Sequence, residues 1–256
     1  MTVWLFGDSI FRGAVLDRFP DQYAPEAAAA EPLWPLRAPA ETMNLLLGEE
    51  AVRLGGFTGL PDRVDKAARR LRTMLDAGTI APGDMIVMLD VGPHACDPDR
   101  HEAQWRRLRE AAAGAHRVRL VICEGFDGGA RGETALRHDL AFGARSHNDA
   151  VAAAASSAAE EVGETRFLRL SAPLSAFDQA LKKGFGIGAY RPDGVHLNVW
   201  GQLRLCALIL AAALPGRRLD PGPLLALPPG VWEAAGAPAT ATADAMVRLA
   251  LDSEGG

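Results

Sequence analysis

The sequence predicts an α/β fold, a three-layer α/β/α domain with a five-stranded parallel sheet. Short apolar runs alternate about five times with longer segments whose apolar residues recur at helical spacing. The runs are apolar at nearly every position, which is typical of strands that are buried on both faces of a parallel sheet. Because parallel strands are joined by right-handed crossovers, helices are expected on both faces of that sheet.

The predicted strands are brief and end at turn-forming residues. The first runs from Val3 to Phe6 and stops at Gly7, and the clearest is the central run that begins at Asp84. The five predicted strands are 3–6, 51–54, 84–92, 117–123 and 166–170.

The predicted helices show apolar positions at helical spacing, and Gly48, Gly78 and Gly163 follow three of them as stop signals. They are 41–47, 62–77, 99–113, 146–162, 174–181 and 199–214, with a short helix within 11–20. Glycine-rich stretches at 55–59, 127–132 and 182–194 are predicted loops, and 19–40 is a predicted irregular insertion.

The composition changes at Pro215, after which come Pro-Gly pairs, a Leu-Pro-Pro-Gly stretch and then Ala-Pro-Ala-Thr. The predicted organisation is therefore a catalytic domain over 1–214 and an extension over 215–256, with one short helix at 243–251. This extension is expected to wrap the core or to mediate a dimer.

Charge and hydropathy restrict the classes of partner. The net charge is −5 and no Lys/Arg run occurs, which argues against nucleic-acid binding. The N-terminus lacks a basic region and Asp8 interrupts the first apolar run, so a signal peptide is not predicted. The most apolar helix, 203–214, is too short to span a bilayer and contains Arg204. The expectation is a soluble, cytoplasmic protein without a membrane span.

The three cysteines, Cys96, Cys123 and Cys206, include no Cys-x-x-Cys pair, so a disulfide framework is not predicted. Cys96 shares one loop with His94 and Asp97, but no partner pair stands elsewhere in the chain. A metal site is therefore not predicted.

Ser9 is the candidate nucleophile. It follows the first predicted strand in Gly7-Asp8-Ser9-Ile10, at the edge of a parallel sheet where ligands bind. Gly-Asp-Ser is also common in ordinary turns. A serine becomes a nucleophile only with a base and with donors for the oxyanion.

Asp193 and His196 are the candidate carboxylate and base. They stand three residues apart in Asp193-Gly194-Val195-His196-Leu197-Asn198, just before the last predicted core helix. A carboxylate at that spacing can accept the imidazole Nδ1–H and leave Nε2 free as a base. The same stretch also reads as a helix start, with Asn198 as its cap; the two interpretations are compatible.

With these motifs, residues 1–214 resemble the SGNH hydrolases, the GDSL esterase/lipase family. Gly7-Asp8-Ser9-Ile10 resembles the family's first block, and Asp193 to Asn198 resembles its last. The stretch Gly56-Phe57-Thr58-Gly59 resembles the second block, which implies that the Gly59 backbone N–H donates to the oxyanion. The resemblance also implies a flavodoxin-like strand order.

The third block departs from the family pattern Gly-x-Asn-Asp. Here it reads Gly92-Pro93-His94-Ala95, so His94 stands at the position of the Asn and Ala95 at that of the Asp. His94 is the candidate third oxyanion donor.

The resemblance implies serine-dependent hydrolysis of a small-molecule carboxylic ester or thioester through an acyl-enzyme, without a cofactor. The catalytic residues would be Ser9, Asp193 and His196, with oxyanion donors at Ser9, Gly59 and His94. Two alternatives remain open: an O-acyltransferase that uses the same serine, and a non-catalytic binding protein with a decayed site.

Overall fold

A computed structural model describes residues 1–7, 11, 36, 39–57, 63–89, 118–124, 164–190, 197–237 and 240–252. Several predicted elements lie outside these residues. They are the helices at 99–113 and 146–162, the loop at 127–132, and nearly all of the helix within 11–20 and of the insertion at 19–40.

Twelve elements follow one another in the described part of the chain. In order they are β1 (Val3–Gly7), α1 (Pro39–Leu47), β2 (Val52–Phe57), α2 (Arg63–Asp76), β3 (Met85–Leu89), β4 (Arg119–Cys123), β5 (Thr165–Leu168), α3 (Ser171–Phe185), α4 (Val199–Ala213), α5 (Gly222–Leu225), α6 (Pro229–Ala234) and α7 (Thr240–Leu251).

The five strands form one parallel sheet in the order β2-β1-β3-β4-β5. This is the flavodoxin-like order, with the reversal of winding at β1 and β3. Every residue of β1 and β3 is buried. Because successive strand residues point to opposite faces, both faces of the central strands are covered. The predicted flavodoxin-like α/β fold with five parallel strands is confirmed.

The chain divides into two compact units. The first, residues 1–11 and 51–171, holds the sheet, and within it α2 packs against β1 and β2. In the second, residues 12–50 and 172–256, the described elements are helices, and α4 contacts α1 and α7. The division into 1–214 and 215–256 was predicted from the change in composition at Pro215, and it stays a prediction.

A buried carboxylate fixes the amino ends of β1 and β3. Asp84 is 5% exposed and accepts hydrogen bonds from the Thr2 N–H at 2.7 Å, the Ala81 N–H at 3.0 Å and the Trp4 indole at 3.0 Å. Burial would raise the pKa of this carboxyl, but the three hydrogen bonds together hold the pKa below its ordinary value.

The tail is more helical than its composition predicts, since α5 and α6 precede the predicted helix, which begins at Thr240 as α7. Trp232 of α6 stacks on Trp200 of α4 with ring centroids 5.6 Å apart. The Arg204 guanidinium, buried in α4, donates to the Ala250 and Asp252 carbonyls at the end of α7. A cation at that position complements the helix dipole. Burial lowers the pKa of Arg204, and the nearby Asp252 carboxylate opposes that change.

Two of the predicted loops are partly regular structure. Gly55, Gly56 and Phe57 belong to β2, where the register with β1 shifts between Leu5 and Phe6. Residues 182–185 continue α3, which gives way at Gly186 with a φ of 73°. A glycine in the left-handed region commonly ends a helix. The helix therefore ends at Phe185 and not at residue 181 as predicted.

Cys123 and Cys206 are free, fully buried thiols, and burial raises the pKa of both. Within the described residues, no helix combines the length and the apolar character that crossing a membrane requires.

Candidate active site

Three strand ends that precede motif residues lie side by side in the sheet unit. Gly7, the last residue of β1, pairs with Phe57 at the end of β2 and with Leu89 at the end of β3. Ser9 and Gly59 each follow their strand by two residues, and His94 follows β3 by five. Ligands of open parallel sheets bind at this carboxyl edge, where β1 and β3 also mark the reversal of winding.

Gly7 is required by the close approach of its neighbours. A Cβ atom built on Gly7 would stand 2.6 Å from the Leu89 carbonyl oxygen and 2.8 Å from Phe11 Cδ2. Phe11 is fully buried, so its ring has little room to move. Gly7 and Phe11, the two residues that bracket 8–10, are thus in contact.

The end of β2 is shaped by the Phe6 ring. A Cβ atom on Gly55 would stand 2.3 Å from Phe6 Cε2, so the ring occupies the space of a side chain there. The Arg70 side chain of α2 covers Gly56 and donates from Nε to the Gly55 carbonyl at 3.4 Å. Gly55 therefore admits the Phe6 ring against the strand.

The second motif is bracketed by a paired stem. Tyr190 and Leu197, the described residues on either side of 191–196, form an isolated antiparallel bridge. Asn198 is the N-cap of α4, and its Oδ1 accepts from the Trp200 N–H at 3.0 Å and the Gly201 N–H at 3.1 Å. The alternative interpretation of this stretch as a helix start is therefore correct at Asn198.

All five predicted site residues lie outside the described residues: Ser9, Gly59, His94, Asp193 and His196. Cys96 and Asp97, considered as metal ligands, lie outside them as well. The structure describes residues on both sides of 8–10 and of 191–196, and the strand ends that precede Gly59 and His94. The catalytic roles of the five site residues stay a prediction.

Two further polar residues make specific hydrogen bonds that the sequence motifs did not indicate. Glu124 follows β4 directly, and its Oε2 accepts from the Leu170 and Ser171 N–H groups at 2.8 and 2.9 Å, at the start of α3. Asp178 is a carboxylate at an apolar position of α3, between Phe177 and Leu181. That placement is visible in the sequence, because 174, 177, 178 and 181 form one helical face.

No protein-family model matches the sequence, and no curated protein matches it. Among solved structures, the chain is similar to a protein from Slackia heliotrinireducens described as "a putative SGNH hydrolase". The two are 22% identical with a TM-score of 0.50, over 84% of this chain and 98% of that one. A gut microbial diltiazem-metabolizing enzyme is 13% identical with a TM-score of 0.49, over 83% of this chain and 46% of that one. The first likeness concerns the fold and agrees with the strand order described above.

Proposed function

Because the chain has the fold of the SGNH hydrolases, we propose that it is a serine-dependent hydrolase of a carboxylic ester or thioester. A fold alone does not fix a function, so the proposal depends on motifs and on where they stand. The observation that carries it is the register of Gly7 with Phe57 and Leu89. In the sequence, the nucleophile motif with Ser9 and the oxyanion-donor motifs with Gly59 and His94 follow these three strand ends.

The proposed chemistry begins at Ser9. Its Oγ attacks the acyl carbon while His196 takes the proton, and the alcohol or thiol leaves with that proton. Asp193 accepts a hydrogen bond from the imidazole and holds its tautomer. Water then attacks the acyl-enzyme with His196 again as base, which releases the acid and restores the Ser9 hydroxyl.

The negative charge that develops on the acyl oxygen needs hydrogen-bond donors. The backbone N–H groups of Ser9 and Gly59 supply two, and the His94 side chain supplies the third in this proposal. Donors that are fixed before the reaction stabilise the transition state without reorganisation. The scheme uses only groups of the chain, a small-molecule ester and water.

One observation favours a second candidate, a binding protein on the same fold. In the third block His94 and Ala95 stand where the family pattern has Asn and Asp, a change that a decayed site would tolerate. Such a protein would still bind a small molecule at the sheet edge but would not turn it over.

A panel of esters tests the proposal. Acetyl to long-chain aryl esters, an acyl-CoA and acetylated sugars would be incubated with the wild-type protein and with Ser9→Ala, with and without an added alcohol acceptor. The proposal predicts turnover that Ser9→Ala abolishes without changing the melting curve. A binding protein would turn over none of them, and a transferase would prefer the acceptor to water.

A further inference from the structure

Asp178 is a buried carboxylate in the middle of α3. Its residue is 7% exposed, and it shares the buried face of the helix with Leu174, Phe177 and Leu181. A charge on an apolar face is costly unless its oxygens are hydrogen-bonded. The partners of this carboxylate therefore indicate what it stabilises.

Both carboxylate oxygens are used. Oδ1 accepts from the buried Ala189 N–H at 2.8 Å, and Oδ2 lies 2.6 Å from the Lys182 Nζ. The Lys182 side chain is 56% exposed, so this ion pair is screened by solvent and contributes little by itself. The bond to the Ala189 N–H is shielded from water and is the stronger constraint.

Ala189 belongs to residues 186–190, which are also fixed to the start of α4. The Asn198 N–H donates to the Ala189 carbonyl at 3.0 Å, and Asn198 Nδ2 donates to the Gly188 carbonyl at 2.7 Å. The Ala189 carbonyl also approaches Gly201 so closely that a Cβ atom there would stand 2.3 Å from it. Asp178 and Asn198 thus hold the same short segment from two sides.

That segment ends at Tyr190, which pairs with Leu197 across residues 191–196. Asp193 and His196 are within the six residues that this pair closes. Fixing the two ends of so short a connection restricts the conformations that it can adopt.

We propose that Asp178 is a positioning residue, which acts through Ala189 and Asn198 to hold the base of the segment that carries Asp193 and His196. The inference rests on the proposed function for its catalytic meaning. It assigns to Asp178 no contact with substrate. Asp178 would act on the orientation and tautomer of the His196 imidazole. Its loss would therefore lower kcat with little change in KM.

Four variants separate the possible roles of the carboxylate. Asp178→Ala and Asp178→Leu both remove the acceptor, and the leucine suits the apolar face if the alanine variant fails to fold. Asp178→Asn keeps an acceptor for the Ala189 N–H but loses the charge. Lys182→Met removes only the ion pair. Asp244→Ala is the matched control, because Asp244 forms an i,i+4 pair with Arg248 on the solvent-facing side of α7.

The primary readout does not require turnover. The imidazole nitrogen chemical shifts of His196, assigned with His196→Gln, report its tautomer and protonation at fixed pH. The inference predicts that Asp178→Ala and Asp178→Leu move these shifts, while Asp178→Asn, Lys182→Met and Asp244→Ala leave them near wild type. Unchanged His196 shifts in a folded Ala or Leu variant would overturn the inference.

Ester kinetics supply the second readout. A displaced catalytic group typically lowers turnover by about 10- to 100-fold, so kcat of the Ala and Leu variants should fall by that factor, with recovery in Asp178→Asn. Wild-type kcat in these folded variants would also contradict the inference. An inactive wild-type protein would instead contradict the proposed function, and the His196 shifts would still decide the positioning role.

Discussion

The carbonyl oxygen of Leu89 occupies the space where a side chain on Gly7 would begin, 2.6 Å from the position of a Cβ atom. These two residues are the paired ends of β1 and β3, next to the Ser9 motif and to the third block. Gly7→Ala must therefore separate the strands or displace Phe11. We expect a loss of about 1–3 kcal/mol in the free energy of unfolding, as for other overpacked sites, and a lower kcat.

Gly184→Ala is the control for this substitution. Gly184 lies in α3 with open space where its Cβ would stand, and alanine is favoured over glycine inside a helix by about 0.5–1 kcal/mol. Urea unfolding should show stabilisation for Gly184→Ala and destabilisation for Gly7→Ala. Equal stability of the two variants would contradict the close approach at Gly7.

Asp84 makes the free energy of unfolding depend on pH in the acidic range. Its pKa is held below the ordinary value in the folded chain, so its contribution is complete above the unfolded value of ~3.9 and is lost as pH falls through the folded value. In Asp84→Asn an amide N–H₂ must face at least one of the three donors. We expect a loss of about 1–3 kcal/mol at neutral pH.

The measurement is the free energy of unfolding against pH for wild type, Asp84→Asn and the exposed control Asp76→Asn. The difference between wild type and Asp84→Asn should shrink as the solution becomes more acidic than about pH 4. A difference that is constant between neutral and acidic pH would contradict the assignment.

Local sequence patterns were sufficient for the sheet. The apolar runs at Val3 and Met85 are strands because every position is buried, and that burial is what a run of consecutive apolar residues encodes. The flavodoxin-like order came from the resemblance of the motifs, because apolar runs alone do not specify which strands are neighbours.

Patterns failed where a distant residue decides the local conformation. Gly55 looks like a loop residue, but the Phe6 ring from the neighbouring strand takes the place of its side chain. Lys182 was predicted in a loop, although it pairs with Asp178 one helical turn earlier. At the candidate site the sequence indicated Ser9, Asp193 and His196, while the hydrogen bond of Asp178 to Ala189 depends on how the chain returns after α3.

The tail stabilises α4 through aromatic packing. Trp232 is 2% exposed, and among the described residues none accepts a hydrogen bond from its indole N–H. Trp232→Ala should cost about 3–5 kcal/mol, because it leaves a cavity against Trp200. Trp232→Phe keeps a ring that can stack on Trp200, so its cost should be much smaller. Chemical denaturation compares the two, and similar losses would argue against the stacking role.

His94 is tested by its replacement with alanine or asparagine. If the imidazole donates to the oxyanion, His94→Ala lowers kcat by about 10²–10³ with little change in KM. His94→Asn restores a donor and keeps more activity. Steady-state kinetics on one ester compare the variants, and an unchanged kcat in folded His94→Ala would remove His94 from the site.

Covalent labelling by a fluorophosphonate, which reacts with activated serines, tests most directly whether Ser9 is the nucleophile; peptide mapping by mass spectrometry then locates the label. Only a serine with a base and oxyanion donors reacts readily. We predict one modified peptide, with the label on Ser9, and its loss in Ser9→Ala and in His196→Gln. A folded wild-type protein that is not labelled, or is labelled on a different serine, would contradict it.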